Sequence, residues 1–188
     1  ATFVSGTGEL VTVNAEEHPE LLPAIALGLG ALGVIVTVTV QCVPRYLLRA
    51  EEGTDQLSAV LDSFVDRSRE ADHFEFFWFP HTRTVRTKPN TRLPLNAGSE
   101  PLTRVSRFLD EEVANNVAFG ACAALGSLMP AFTPSINRVI ESVSSSRSYS
   151  DESHRVYVTH RRVRFREMEY GVPLEAVPDV MRELGRLI

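Results

Sequence analysis

Three glycines in the stretch Gly28-Leu29-Gly30-Ala31-Leu32-Gly33 stand at G-x-G-x-x-G spacing. Glycine lets backbone come close to a ligand, and this spacing belongs to loops that cradle the pyrophosphate of a dinucleotide. Such a loop needs a strand before the glycines and a helix after them. Here the order is reversed. A short helical pattern with Pro19, Leu21, Leu22 and Ile25 comes first, and the β-branched run Val34–Val40 follows. The residues therefore read as a tight turn from helix to strand. A second group is Arg161-Arg162-Val163-Arg164-Phe165-Arg166. Basic residues interleaved with apolar ones bind phosphate or nucleic acid when they form a basic face. A strand with one solvated face explains the same alternation. In Phe74-Glu75-Phe76-Phe77-Trp78-Phe79 the aromatics read as core, and Glu75 is the exception, a carboxylate that pairs with an arginine or faces a pocket. Glu167 and Glu169, two apart, share one face of a regular strand. There they act as an acid–base pair or as salt-bridge partners of Arg164 and Arg166. His18, His73, His81, His154 and His160 have no ligand spacing, so no metal site is expected. Neither a G-x-S-x-G elbow, a Walker loop nor an H-E-x-x-H motif is present.

The elements that would position these groups are of mixed kinds. Thr2–Val13 reads as two strands around a Gly-rich turn. Val34–Val40 reads as a buried strand ended by Pro44. Thr54 caps a helix whose apolar face is Leu57, Val60, Leu61, Phe64 and Val65. The aromatic strand 74–79 is positioned to pair with a partly exposed strand, Thr82–Lys88. Lys88–Pro101, with three prolines, is a loop. Helical spacing resumes at Leu102, Val105, Leu109, Val113 and Val117 and runs toward Leu128. Thr133-Pro134 opens a further helix carrying Ile136, Val139, Ile140 and Val143. Ser142–Ser153 is a serine-rich loop, His154–Tyr170 alternates like a strand, and Leu174–Ile188 is a last helix. Strands and helices alternate without a βαβ rhythm, so the fold class is α+β, with a boundary near residues 44–50.

Composition bounds the function. The 188 residues have room for one large domain or one and a half small ones. A hydrophobic fraction of 44% with 23% charged residues excludes a disordered or collagen-like chain. A net charge of -5 argues against a nucleic-acid partner held by bulk charge. Cys42 and Cys122 form neither a metal spacing nor a disulfide framework, which points to a reducing compartment. Residues 24–40 carry no charge, but three glycines and a β-branched second half fit a helix–turn–strand better than a membrane span. The chain opens at Ala1 inside a sheet motif and closes on a helix without a C-cap glycine, so neither end is expected to be a natural domain boundary.

Taken together these segments resemble one family. Leu27-Gly28-Leu29-Gly30-Ala31-Leu32-Gly33-Val34-Ile35, an alternating strand and Pro44 are similar to the end of the FAD-binding domain in the vanillyl-alcohol-oxidase superfamily. Asp72-His73-Phe74-Glu75-Phe76-Phe77-Trp78-Phe79-Pro80 resembles the start of the cap domain in its sugar-lactone oxidase branch, which holds D-arabinono-1,4-lactone oxidases and L-gulono-1,4-lactone dehydrogenases. Arg162-Val163-Arg164-Phe165-Arg166-Glu167-Met168-Glu169-Tyr170-Gly171-Val172-Pro173 resembles a later strand of that cap. The resemblance implies residues 1–45 as the C-terminal part of a PCMH-type FAD-binding domain and 46–188 as part of an α+β cap, or substrate, domain. It implies that flavin takes a hydride from a carbon bearing a hydroxyl, with the protein positioning the substrate and tuning charge. Backbone contacts to FAD would come from Gly33, Val34 and Ile35. Glu169 and Tyr170 would lie on the substrate side, the substrate being a sugar lactone or polyol. The family's diphosphate loop would lie upstream of Ala1. Its Glu-x-Arg strand and His-Trp-Gly-Lys segment would lie downstream of Ile188. The chain alone is thus expected to hold no catalytic residue, to retain no FAD and to turn nothing over. A cytoplasmic location is expected, with peripheral membrane association open. The competing expectation is a free-standing α+β binding domain with a closed core and no raw sheet edge.

Overall fold

The computed structural model describes residues 1–143 and 146–188. The chain divides into two compact units, Ala1–Pro44 and Arg45–Ile188. Helices and antiparallel sheets are mixed in the α+β manner that the residues predict.

In the first unit, strands β1 (Thr2–Val4) and β2 (Leu10–Thr12) form a hairpin. Its turn is tied by the Ser5 hydroxyl, which accepts from the Thr7 and Glu9 amides at 3.3 Å each. A single turn at Pro19–Leu21 leads into α1 (Leu22–Leu27), and the glycine stretch reverses the chain into β3 (Val34–Thr37). The strand order is β2-β1-β3, so β3 is an edge. The small core is centred on Phe3 and Val13. β3 corrects the expectation of a buried strand. It ends at Thr37 rather than Val40, and Val34, Ile35 and Val36 are all exposed.

The second unit is built on a four-stranded antiparallel sheet of order β5-β6-β4-β7. Its strands are β4 (Leu47–Gln56), β5 (His73–Trp78), β6 (Thr84–Leu93) and β7 (Arg147–Glu152). Alternation gives the sheet two faces of opposite character. One face is apolar and is covered by α2 (Leu57–Glu70), whose Val60 and Leu61 are buried and whose Phe64 ring meets Phe74 and Phe76 at 5.9 and 5.7 Å. A last helix, α7 (Val177–Leu187), packs along α2. The other face carries most of the charge and lies under a helical run of α3 (Arg104–Phe108), a π-helical stretch (Leu109–Ala118) and α4 (Phe119–Leu128). α5 (Thr133–Ser142) is fixed to the sheet by Glu141, which accepts from the Thr84 amide at 3.1 Å and from its hydroxyl.

Several expectations need correction here. Thr54 caps nothing: β4 runs through it to Gln56, where α2 begins without a side-chain cap. The loop expected from Lys88 starts later, because β6 continues to Leu93. Most of the serine-rich stretch is not a loop. Its residues 147–152 are β7, paired with β4 from Leu47↔Glu152 to Glu52↔Arg147, while Ser144 and Ser145 lie outside the described residues. The strand expected over His154–Tyr170 is instead α6 (Ser153–Tyr157), followed by an extended segment, residues 158–173, without sheet partners. Its alternation had no neighbouring strand to pair with, and pairing is what stabilises a strand.

Candidate functional site

Two places concentrate the groups singled out by the sequence, one in each unit. In the first unit it is the bend itself. Leu29 and Gly30 both take positive φ, 48° and 81°, and Gly33 takes 146°. A Cβ at Gly33 would stand 2.0 Å from the Val4 carbonyl oxygen, whereas one at Gly30 would meet nothing within 4 Å. Gly33 is thus required for β3 to pass β1, while Gly30 faces open space. Because β3 is an edge, alternate backbone N–H and C=O groups along it point away from β1. Beside them Val34 and Ile35 stand exposed. The bend therefore offers free backbone hydrogen-bonding groups next to apolar surface.

In the second unit the site is the charged sheet face. The β5–β6 register sets Glu75 opposite Lys88, and the β4–β7 register sets Glu52 opposite Arg147. The β4–β6 register, Ala50↔Asn90 and Gly53↔Thr87, sets Glu52 opposite Lys88. A row of alternating sign thus crosses all four strands. Its contacts follow: Lys88 Nζ lies 3.4 Å from Glu75 and donates to the Val156 carbonyl at 3.0 Å. Arg147 donates to Glu52 at 2.6 Å and to Asp110 of the π-helical stretch at 3.0 Å. The Tyr149 hydroxyl donates to Glu52 at 3.2 Å, and Arg86 is 3.8 Å from the same carboxylate. One row further, Asp151 is held by Arg107 at 2.7 Å and by Arg155 at 3.9 Å. These charges are partly removed from water: Glu52 is 11% exposed, Asp151 7% and Lys88 14%. Pro89 marks the same place. It lacks the amide that a central strand needs, and the β4–β6 pairing is interrupted there, skipping Glu51 opposite Pro89 and Glu52 opposite Lys88.

The electrostatics follow from this packing. Burial lifts the Tyr149 phenol well above its ordinary value, and the adjacent Glu52 charge lifts it further. Burial pushes Tyr157 up to about 12, with Glu75 adding to the effect. Burial works against the Asp151 charge, but the Arg107 hydrogen bond, the Glu152 amide and the nearby guanidinium charges hold its carboxyl below the usual carboxylate range. Burial likewise opposes the Arg147 charge, and the hydrogen bonds to Glu52 and Asp110 more than reverse it.

Above this face lies a cavity of about 320 Å³, floored by Glu52, Arg86, Lys88, Arg147 and Tyr149, and roofed by the π-helical stretch and the segment around Arg161. Asn116 holds that roof together. Buried, it donates to the carbonyls of Glu111 and His160 at 2.7 and 2.8 Å and accepts from the Arg162 amide at 2.7 Å. Asn115 likewise donates to the Asp110 carbonyl, five residues back, at 2.9 Å. Within this stretch the backbone takes the wider π-helical winding, a form frequent at functional sites. Of the residues singled out by sequence, Glu75 pairs with Lys88 rather than an arginine. Arg162 pairs with Glu112, and Arg161 stacks on Phe119 and Phe165, 5.6 Å from each centroid. Glu167 and Glu169 lie in the segment without strand structure, so they form no shared strand face. Glu169 is exposed, as is Tyr170, whose hydroxyl contacts the Met168 sulfur at 4.0 Å. Sequence reasoning missed Glu52, Arg147, Tyr149 and Asp151. The only available signal was register, which requires knowing that β4 and β7 are neighbours.

The described residues hold no cluster of His, Cys, Asp and Glu suited to a metal ion, and no helix among them is long and apolar enough to cross a membrane. The sequence profile of the D-arabinono-1,4-lactone oxidase family matches residues 38–188. A protein named L-gulono-1,4-lactone dehydrogenase from Mycobacterium tuberculosis is 34% identical over 189 residues, covering 99% of this chain and 42% of that protein. An L-gulonolactone oxidase from Bos taurus is 24% identical over 191 residues, covering 100% and 42%. A D-arabinono-1,4-lactone oxidase from Candida albicans is 30% identical over 80 residues, covering 43% and 14%. The chain thus spans about two fifths of the length of the first two relatives.

Proposed function

Because the chain belongs to the D-arabinono-1,4-lactone oxidase family, we propose that it is part of an FAD-dependent oxidoreductase acting on the CH–OH group of a sugar lactone or polyol. In this reading residues 1–45 are the end of the FAD-binding domain and 46–188 are part of the cap. FAD, when bound, supplies the acceptor for the hydride leaving the hydroxyl-bearing carbon. The bend fits such a group. Gly33, Val34 and Ile35 present edge-strand backbone groups and exposed apolar side chains to a flat ligand that is apolar across its faces and polar at its rim. Glu169 and Tyr170 are assigned to the substrate side, where their exposure leaves them free to meet a ligand. The charged cavity of the second unit orients hydroxyls through fixed donors and acceptors. This chain contributes positioning groups and no catalytic residue, so it is inactive by itself. The two free cysteines suit a cytoplasmic location, with peripheral membrane association left open.

The observation that carries this reading is the 34% identity along 99% of the chain to a lactone dehydrogenase. The test is a flavin spectrum of the full-length protein containing this sequence, followed by anaerobic addition of L-gulono-1,4-lactone, D-arabinono-1,4-lactone or an alditol. The expected result is a yellow protein that bleaches with at least one of them. A colourless protein, or a yellow one that none of them bleaches, overturns the reading.

A further inference from the structure

The cavity on the charged sheet face is not electrically balanced. Six basic side chains line it, Arg86, Lys88, Arg107, Arg147, Arg155 and Arg161, against the four carboxylates of Glu52, Asp110, Glu111 and Asp151. Most are matched. Arg147 is shared by Glu52 and Asp110, Asp151 takes Arg107 and Arg155, and Lys88 has Glu75 on its outer side. Two guanidiniums are left over, against one carboxylate, that of Glu111 on the roof, which makes no ion pair among the described residues. Arg86 reaches only the Glu52 carboxylate at 3.8 Å, and that oxygen already accepts from Arg147 at 2.6 Å. Arg161 has no carboxylate partner among the described residues. It is held instead on the rings of Phe119 and Phe165, an arrangement that fixes a guanidinium plane while leaving its N–H edge free. The backbone beside it is pinned by the bonds of Asn116 to His160 and Arg162. Arg161, Lys88, Phe77 and Thr159 also line an adjoining open groove, so the stacked guanidinium sits where the cavity meets solvent.

A preorganised guanidinium with an unused fork matches a carboxylate in two parallel hydrogen bonds. The remaining lining supplies what a polyhydroxylated chain needs, namely buried carboxylates that accept from hydroxyls and arginines that donate to them. The volume falls within the small-molecule range of roughly 300–1,000 Å³. We propose that this cavity binds a small hydroxy-carboxylate, the open-chain sugar acid that a sugar lactone becomes on hydrolysis, with its carboxylate on Arg161 and Arg86. A neutral lactone leaves both guanidiniums unmatched and binds more weakly. The ligand class draws on the function proposed above, but the charge argument stands on the geometry alone, and direct binding is read without turnover or flavin.

The test is calorimetric titration of the full-length protein with sodium D-gluconate, its own neutral lactone D-glucono-1,4-lactone and sodium sulfate, at two salt concentrations. The expected result is gluconate binding at least tenfold tighter than lactone or sulfate, weakened by salt. Arg161→Gln and Arg86→Gln each lower gluconate affinity about tenfold, while Arg161→Lys, which keeps the charge but loses the fork, lowers it less. Melting curves establish that each variant is folded, and a variant that does not fold is replaced by Phe165→Leu, which frees the stacked guanidinium and is expected to weaken binding severalfold. Lactone or sulfate binding as tight as gluconate overturns the proposal. So does gluconate binding that is undetectable or unchanged in the arginine variants. Failure of the bleaching experiment with gluconate binding intact would count against the oxidoreductase reading and leave this site standing.

Discussion

The two sheets invert the usual distribution of side chains. In the first unit the strand β3 carries Val34, Ile35 and Val36 on the outside, at 71, 43 and 53% exposure. In the second unit Glu52 and Asp151 are 11 and 7% exposed, and both lie on the covered face of the sheet. The first sheet is stabilised by a small core around Phe3 and Val13 and presents apolar surface on an unprotected edge. The second blunts its β7 edge with Glu100, whose carbonyl accepts from the Ser150 amide at 2.9 Å and whose amide donates to the Ser150 hydroxyl at 2.8 Å. Edge protection is the ordinary state of a finished sheet. Surface is left for contact in the first unit, whereas charge is held in place in the second. An apolar edge suits a flat ligand or further chain. A buried, cross-linked charge row suits recognition of a polar molecule with defined geometry.

The largest effect is expected where the bend is tightest. Gly33→Val places a Cβ within 2.0 Å of the Val4 carbonyl at a φ of 146°. Neither the backbone of β1 nor that of β3 can move aside while the two strands stay paired. A loss of about 3 kcal/mol or more is expected, read as a fall in the denaturant midpoint, together with loss of flavin retention in the full-length protein. A variant with wild-type stability would mean that the β1–β3 pairing is not what holds the bend.

Second in size is the charge row. Glu52→Leu removes the acceptor of Arg147, Tyr149 and Arg86 at once. Arg147 keeps Asp110, which limits the cost. Breaking a buried pair from one side costs about 3–5 kcal/mol when nothing remains, so roughly 2 kcal/mol is expected here. The double variant Glu52→Leu with Arg147→Met should recover part of it, since replacing both ions removes the unpaired charge. If the single variant costs less than Tyr149→Phe, the row is not a coupled unit.

How far the sequence carries this picture depends on whether an element's signal is local. The turn at 28–33, the helix face of Leu57, Val60 and Leu61 and the aromatic strand are all readable, because each carries its own period or breaker. β7 is not. Arg147-Ser148-Tyr149-Ser150-Asp151-Glu152 has little intrinsic strand preference, and it is a strand because β4 offers it a ladder. β4 was hidden for a related reason: Glu51, Glu52 and Thr54 look like the approach to a helix cap, yet they lie in a strand that is paired on both sides. The segment after Tyr157 misleads in the opposite direction, having a strand-like alternation with no partner. The candidate cavity depends on β4 and β7, so most of its residues were illegible, while the bend in the first unit was legible almost to the residue.

Smaller effects are expected from titration. Tyr149 has its phenol raised when folded, so its contribution to stability is present at neutral pH and is lost as pH rises above about 10, the unfolded value. Asp151 has its carboxyl lowered, so its contribution is present above about pH 4 and is lost as pH falls through the folded value. Tyr149→Phe should cost about 1.5 kcal/mol at pH 7, the scale of one hydrogen bond to a charged group, and should flatten the alkaline limb only. Asp151→Asn should flatten the acid limb only. Unfolding midpoints measured from pH 2 to 11 check both, and an effect on the opposite limb would break the assignment of charge to these groups.

The smallest effect separates strain from collision within the bend. Gly30 shares the positive φ of its neighbours, at 81°, but a Cβ there meets nothing within 4 Å. Gly30→Ala should therefore cost only the left-handed backbone penalty, about 1 kcal/mol, against the threefold larger loss at Gly33. Because that Cβ points into open space, the variant also reports on what comes to occupy the space. If the full-length protein binds flavin as tightly after Gly30→Ala as before it, the tip of the bend makes no close contact, as expected if the proposed contacts at Gly33–Ile35 hold. If flavin is lost while the denaturant midpoint moves by no more than the expected amount, the ligand approaches the bend at its tip, and the backbone there, rather than the edge of β3, is the contact.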